Sequence, residues 1–205
     1  MIKIGQATLY HGDCMELMRN TPDNYYELAI VDPPYGIGDF SQSDAACLGK
    51  IKWNNEIPSK EYFDELRRVS KNQIIWGANY YNCFNGGSIV WDKLNLHPSM
   101  SRCEIASVSY GKRVAYVQIL HHGGAAKMGG NFHPCGKPIK LYEWLLTNYA
   151  KTGDKILDTH GGSFSSAIAC NNLGFDFTGI ELDLDYYNSA VKRVSAANQQ
   201  IRMFA

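Results

Sequence analysis

Asp32-Pro33-Pro34-Tyr35 stands immediately after the apolar run Leu28-Ala29-Ile30-Val31. Proline cannot extend a hydrogen-bonded ladder, so the run reads as a buried strand that stops there and delivers Asp32 to its C-terminal edge. A primary amine on an aromatic ring is a poor nucleophile, because its lone pair is conjugated with the ring. Chemistry at such a nitrogen needs acceptors that hold its hydrogens while it becomes tetrahedral, and a flat surface for the ring. The Asp32 carboxylate and the Pro33 carbonyl can supply the acceptors, Tyr35 the surface, and the two proline rings the stiffness that preorganises them. Asp32, Pro33, Pro34 and Tyr35 are therefore the candidate catalytic set. A turn that merely ends a strand has the same composition, so the rest of the chain has to decide.

A second constellation begins at Ile156-Leu157-Asp158-Thr159-His160-Gly161-Gly162-Ser163, a strand running into a glycine turn and then a helix. Glycines let the backbone approach a ligand, and the following helix N-terminus favours an anionic group such as a carboxylate. Glu181 ends the next strand, at the spacing from which an acid reaches both hydroxyls of an adenosine ribose. No G-x-x-x-x-G-K-[ST] segment is present, which lowers the case for a nucleoside triphosphate. S-adenosylmethionine needs no pyrophosphate cradle. Its sulfonium carries an activated methyl group, so a protein has only to align nitrogen, carbon and sulfur.

The chain has 205 residues, with 20 lysines and arginines against 20 acids and a net charge of zero. That length suits one α/β core, so a single domain over 1–205 is expected. No apolar stretch approaches the length of a membrane span and no secretory leader is visible, so a cytoplasmic protein without membrane contact is expected. The six cysteines form no C-x-x-C pair, and His121, His122, His133 and Cys135 lack a paired ligand set, so reduced thiols and no metal are expected. The charges are uneven: Arg102, Lys112, Arg113, Lys127 and Lys137 lie between Lys93 and Lys140, against the single acid Glu104. With Lys50 in an earlier loop, Lys93, Arg102, Lys112, Arg113 and Lys127 are the candidate phosphate contacts, although a solvated face would carry the same charges.

Short apolar runs alternate with amphipathic stretches, an α/β pattern. Strands are expected at Thr8 to His11, Leu28 to Val31, Gln73 to Trp76 and Ser88 to Asp92. Ile105 to Tyr110 and Val114 to Leu120, joined at Gly111-Lys112, read as a hairpin. Ser59 caps a helix bearing Tyr62, Phe63, Leu66 and Val69 on one face, and a short helix is expected around Tyr80 to Phe84. Pro138 opens a helix with Leu141, Tyr142, Leu145, Leu146 and Tyr149. The remainder reads as a βαβα unit: strands Lys155 to Asp158 and Asp176 to Ile180, each followed by a helix. Residues 36–58 and 121–132 are expected to be loops serving substrate or cofactor.

Together these segments resemble the amino-methylating DNA methyltransferases in their permuted order, with Asp-Pro-Pro-Tyr before the glycine-rich cofactor motif. Three further segments match: Tyr10-His11-Gly12-Asp13-Cys14, His133-Pro134-Cys135-Gly136-Lys137-Pro138, and Gly179-Ile180-Glu181 with Asp183 and Tyr186-Tyr187. Trp76-Gly77-Ala78-Asn79 and Trp91-Asp92-Lys93 are similar to segments of small phage and prophage members, where they would flank the target pocket. The resemblance implies a Rossmann-like, mainly parallel sheet with an antiparallel hairpin at one edge, Thr8 to His11 beyond the two C-terminal strands, and Asp32 and Asp158 heading neighbouring strands. It implies S-adenosylmethionine as cofactor, held by Asp13 and Cys14 near its adenine, by Glu181 at the ribose, and by His133, Lys137, Asp158, Gly161, Gly162 and Ser163 toward the methionine end. It implies double-stranded DNA as partner, with the base flipped out to expose its amino group, and leaves a homodimer open. Adenine N6 is the expected target; cytosine N4 fits the same acceptors, though a serine at position 32 would have favoured it. A catalytically silent cofactor-binding DNA-binding protein is a third reading. Two segments depart on the cofactor side: in the glycine turn Thr159-His160 stand where Pro-Phe is usual and Phe164 where the last glycine would be, and in the proline segment Cys135-Gly136 stand where Thr-Gln or Thr-Glu is common.

Overall fold

A computed structural model describes residues 1–37, 56–83, 86–94, 101–121 and 136–204. In chain order the elements are β1 (Ile2–Ile4), β2 (Ala7–His11), α1 (Cys14–Arg19), β3 (Tyr26–Val31), α2 (Lys60–Val69), β4 (Ser70–Trp76), α3 (Ala78–Tyr81), β5 (Gly87–Asp92), β6 (Cys103–Val108), β7 (Val114–Gln118), α4 (Ile139–Tyr149), β8 (Lys155–Asp158), α5 (Ser165–Leu173), β9 (Asp176–Glu181) and α6 (Leu184–Phe204). The strands form one sheet in the order β1-β2-β9-β8-β3-β4-β6-β5-β7. The stretch from β2 to β4 is parallel throughout, while β1, and β6 against both its neighbours, run antiparallel.

β3 is buried on both faces, which is why it reads as an unbroken apolar run and not as an alternation. Leu28 and Ile30 face a core completed by Leu141 and Leu145 of α4 and Ile168 of α5, while Ala29 and Val31 face Met18 of α1 and Tyr62, Leu66 and Val69 of α2. Ser59 caps α2 as expected, its side chain accepting from the Tyr62 amide. β2 lies outside β9, and β8 pairs with β3, so Asp32 and Asp158 do head adjacent parallel strands.

The expected pairing of the 105–110 and 114–120 segments is corrected by the structure. β5 lies between β6 and β7, antiparallel to the first and parallel to the second. Ile89 and Trp91 of β5 are fully buried, and a strand that deep needs a hydrogen-bonding partner on each side. The link between β6 and β7 therefore crosses the end of β5, where the Ser88 amide donates to the Arg113 carbonyl. An antiparallel hairpin does edge the sheet, but at the far side, where β1 folds back on β2. The three-residue β1 and six-residue α1 are too short to leave a hydrophobic period and were not anticipated.

Candidate active site

Asp32 leaves β3 at the sheet's C-terminal edge, and its carboxylate meets protein donors on both oxygens. Tyr35 Oη donates to Oδ1 at 2.6 Å, and Lys137 Nζ lies 2.5 Å from Oδ2. Tyr81 of α3 donates its hydroxyl to the Pro33 carbonyl at 2.5 Å and to that of Pro34 at 2.8 Å. The Tyr35 ring is stacked on Tyr80, centroids 4.8 Å apart and planes 16° from parallel. Gly77 admits that ring: it holds φ +74°, and a Cβ there would lie 2.3 Å from Tyr35. The Trp76-Gly77-Ala78-Asn79 segment thus borders Tyr35. Both proposed acceptors and the proposed stacking surface are engaged by groups of the same chemical kind as an amino-bearing base.

Lys137, assigned from sequence to the cofactor, sits instead in a chain of charges ending at Asp32. Its ammonium is 3.0 Å from Glu104 Oε2, and the other oxygen of Glu104 takes Lys93 Nζ at 2.5 Å. The two lysine side chains are 3% and 8% exposed and the two carboxylates 20% each, so the order Asp32, Lys137, Glu104, Lys93 is a neutral tetrad with buried cations and part-buried acids. Burial works to raise Glu104, but Lys137 and Lys93 overcome it and hold the carboxyl well below its usual range. Burial would lower Lys137; Asp32 and Glu104 raise it. Asp32 stays above its ordinary value because burial and Glu104 outweigh Lys137 and Tyr35. Removing one member of such a set strands its partner, typically at about 3–5 kcal/mol. Lys93 is therefore no phosphate contact: its charge is consumed internally. Glu104 was not among the sequence candidates, and its one signal was its isolation as the only acid in a basic stretch.

The opposite half of the edge is built by β8, β9 and β2. Glu181 ends β9 with one carboxylate oxygen accepting from the Gly162 amide at 2.7 Å and the other from the Asp183 amide at 2.8 Å. Asp13 is the exposed N-cap of α1, and its carboxylate accepts from the Met15 amide. Burial and Asp13 push the neighbouring Cys14 thiol up to about 12, which leaves it inert. Asp158 accepts from the His160 amide and the Ser166 hydroxyl, and burial raises it to about 7. Arg193 of α6 braces the turn by donating to the Ser163 carbonyl and the Ser165 hydroxyl.

The two departures from the usual cofactor turn have structural sense. The Thr159 hydroxyl bonds that of Tyr62 at 2.7 Å and the His160 ring at 2.9 Å, tying the turn to α2. Burial pushes His160 down to about 4, so the imidazole is neutral. Phe164 takes a left-handed conformation, φ +50°. Its ring is fully buried against Phe177 and Tyr187 and packs on Gly161, where a Cβ would lie 2.0 Å from it, so it fills core. Left-handed backbone at a bulky residue costs about 1–2 kcal/mol, which burial of an aromatic ring offsets.

The remaining basic candidates separate by place. Arg102 is exposed just before β6 and 3.5 Å from Asp92, at the Asp32 edge. Lys112 and Arg113 are exposed too, but they join the other ends of β6 and β7. Because Val108 and Cys103 bound β6, these two lie roughly 17 Å of strand rise from the pocket edge. Lys50, Lys127 and His133 lie outside the described residues.

Among known proteins, the DNA methylase family of the N6/N4 class matches residues 75–192. The putative methylase YubD of Escherichia coli K12 is 24% identical over 95% of this chain and 92% of its own. The crystal structure of the M1.HpyAVI–SAM complex superposes with a TM-score of 0.64 at 20% identity, covering 92% of this chain and 98% of that one. The PvuII DNA methyltransferase, described as cytosine-N4-specific, gives a TM-score of 0.64 at 13% identity over 97% and 95%. With the parallel sheet, the aspartate at its edge and more than half of the chain matched, the protein belongs to the N6/N4 DNA methylase family.

Proposed function

We propose that the protein transfers a methyl group from S-adenosylmethionine to the N6 amino group of adenine in double-stranded DNA. The observation that carries this reading is that Asp32 and the Pro33 carbonyl are already held by hydrogen donors, a lysine ammonium and a tyrosine hydroxyl. A site that accepts those donors is built to accept the two hydrogens of an amino group. The aspartate at 32 favours adenine over cytosine by the family pattern.

The turn fits the cofactor. Glu181 offers a carboxylate to ribose hydroxyls, Asp13 lies one strand away, and the neutral His160 places no cation near a sulfonium. S-adenosylmethionine supplies a methyl carbon activated by its sulfonium. The protein's own part is at the nitrogen: Asp32 and Pro33 hold the amino hydrogens, Tyr35 supports the ring, and Asp32 takes the proton that the nitrogen sheds as it gains positive charge.

The test is incubation of unmethylated plasmid with a methyl-labelled donor, followed by hydrolysis and chromatography of the nucleosides. Label in N6-methyl-2′-deoxyadenosine supports the reading; label in N4-methyl-2′-deoxycytidine replaces adenine with cytosine. Donor binding without label in either supports a silent binding protein.

A further inference from the structure

The geometry points to Glu104 as a positioning residue for the transfer step: through Lys137 it keeps the Asp32 carboxylate exchangeable, so that a target amino group can replace the ammonium at Oδ2. This rests on the transfer reading above.

Lys137 has two seats. Its ammonium touches Asp32 Oδ2 at 2.5 Å and Glu104 Oε2 at 3.0 Å. Were Asp32 its only partner, an incoming amino group would have to strand a buried cation in order to displace it. With Glu104 alongside, the ammonium can lean toward a second carboxylate without leaving the site. Lys93 limits that lean by occupying Glu104 Oε1 at 2.5 Å. Tyr35 Oη, on Asp32 Oδ1, also lies 3.4 Å from Glu104 Oε2, so the same two carboxylates share the ring that is to support the base. The segment before α4 reaches Asp32 directly, the edge of β6 reaches it through Lys137, and the end of β5 through Glu104.

The electrostatic consequence has a sign. Glu104 raises the basicity of Asp32 and Lys137 lowers it. Neutralising Glu104 leaves Lys137 uncompensated, so Asp32 becomes a weaker base. Removing Lys93 leaves Glu104 uncompensated, so Asp32 becomes a stronger one. The other groups around Asp32 do not reproduce this pair of shifts. Tyr35, Tyr62, Tyr81 and Tyr142 are kept protonated by burial. Burial and Lys93 keep His121 neutral. Asp158 titrates at about 7, but the charges that act on it are Asp32 and Glu181.

The experiment uses the full chain, with wild-type turnover of labelled methyl donor on unmethylated duplex measured first; no turnover there would retire the transfer reading itself. Turnover, its pH profile and donor affinity are then compared for Glu104→Gln, Glu104→Asp, Lys93→Met and the double variant Glu104→Gln/Lys93→Met. Glu104→Gln should lower kcat by about tenfold or more with donor affinity held within about twofold, and move the acid limb of kcat down by about half a pH unit or more. Lys93→Met should move that limb up, the double variant should return it toward wild type, and Glu104→Asp should recover most of kcat. Limbs that stay in place, or that move the same way in both single variants, overturn the proposal. Should Glu104→Gln fail to fold, the upward shift in Lys93→Met and its cancellation in the double variant decide alone.

Discussion

Tyr81→Phe removes a single oxygen atom and asks whether the Pro33 carbonyl is an acceptor that the substrate has to win. The hydroxyl bridges Pro33 and Pro34 at 2.5 and 2.8 Å, and Pro33 is buried. A net internal hydrogen bond contributes about 1 kcal/mol, and a buried carbonyl that loses its donor costs about 1–3 kcal/mol. The variant alone should therefore be less stable by about 1–2 kcal/mol. An amino hydrogen arriving at Pro33 then displaces nothing and satisfies a carbonyl left without its donor. The same free energy reappears as tighter capture of the extruded base, roughly five- to thirtyfold. Fluorescence of 2-aminopurine placed beside the target adenine, which keeps its N6 amino group, reports extrusion through lost stacking, and urea denaturation reports stability. A protein that is less stable and yet holds the base more tightly is an unusual pairing. Lower stability with unchanged or weaker capture would make Tyr81 a brace for the turn and refute the competition.

Glu181→Gln keeps the side-chain volume but turns one acceptor into a donor, so either the Gly162 or the Asp183 amide faces an N–H group. Calorimetry should find methyl-donor affinity weakened by about 1–3 kcal/mol, and no change would move the ribose elsewhere. Burial raises Asp158 from 3.8 to about 7, so the folded protein binds a proton that the unfolded chain has released, and stability is lost as pH rises through that window. Asp158→Asn should gain on wild type across the same window, by on the order of 4 kcal/mol at about pH 7.5 and much less near pH 4; a difference independent of pH in urea denaturation would reject the shift. Arg102→Ala should reduce the salt slope of DNA binding by about one counterion. The Lys112→Ala/Arg113→Ala double variant should leave that slope in place, and a large loss in it would put DNA across the far edge of the sheet.

The elements that were legible in the sequence are those whose local pattern and tertiary role agree. β3 is apolar from Leu28 to Val31 because both of its faces are covered there, and α2 has its cap and its buried stripe in register. The Asp32 and Glu181 positions followed from strand ends, which local composition marks well. β7 was misplaced because alternation says which residues form a strand and not which strand lies beside it. The members of the basic stretch could not be told apart for a related reason. Lys93, Arg102, Lys112 and Lys137 look alike in sequence, yet one pairs internally, one faces solvent at the pocket, one sits at the opposite edge and one touches Asp32. Charge is a local property and pairing is a long-range one.

Burial decides how this edge can work. A carboxylate withdrawn from water without donors costs several kcal/mol, so Asp32 can remain charged at its depth only because Tyr35 and Lys137 supply hydrogens to it. Any donor strong enough to do that is also a competitor for the substrate. The conflict eases if the donor can shift without being stranded, and only Glu104, among the described residues, gives Lys137 another carboxylate to shift toward. Lys93 in turn keeps Glu104 from capturing Lys137 outright. The acid that belongs to no recognisable motif is thus what allows the aspartate of the motif to stay both charged and available.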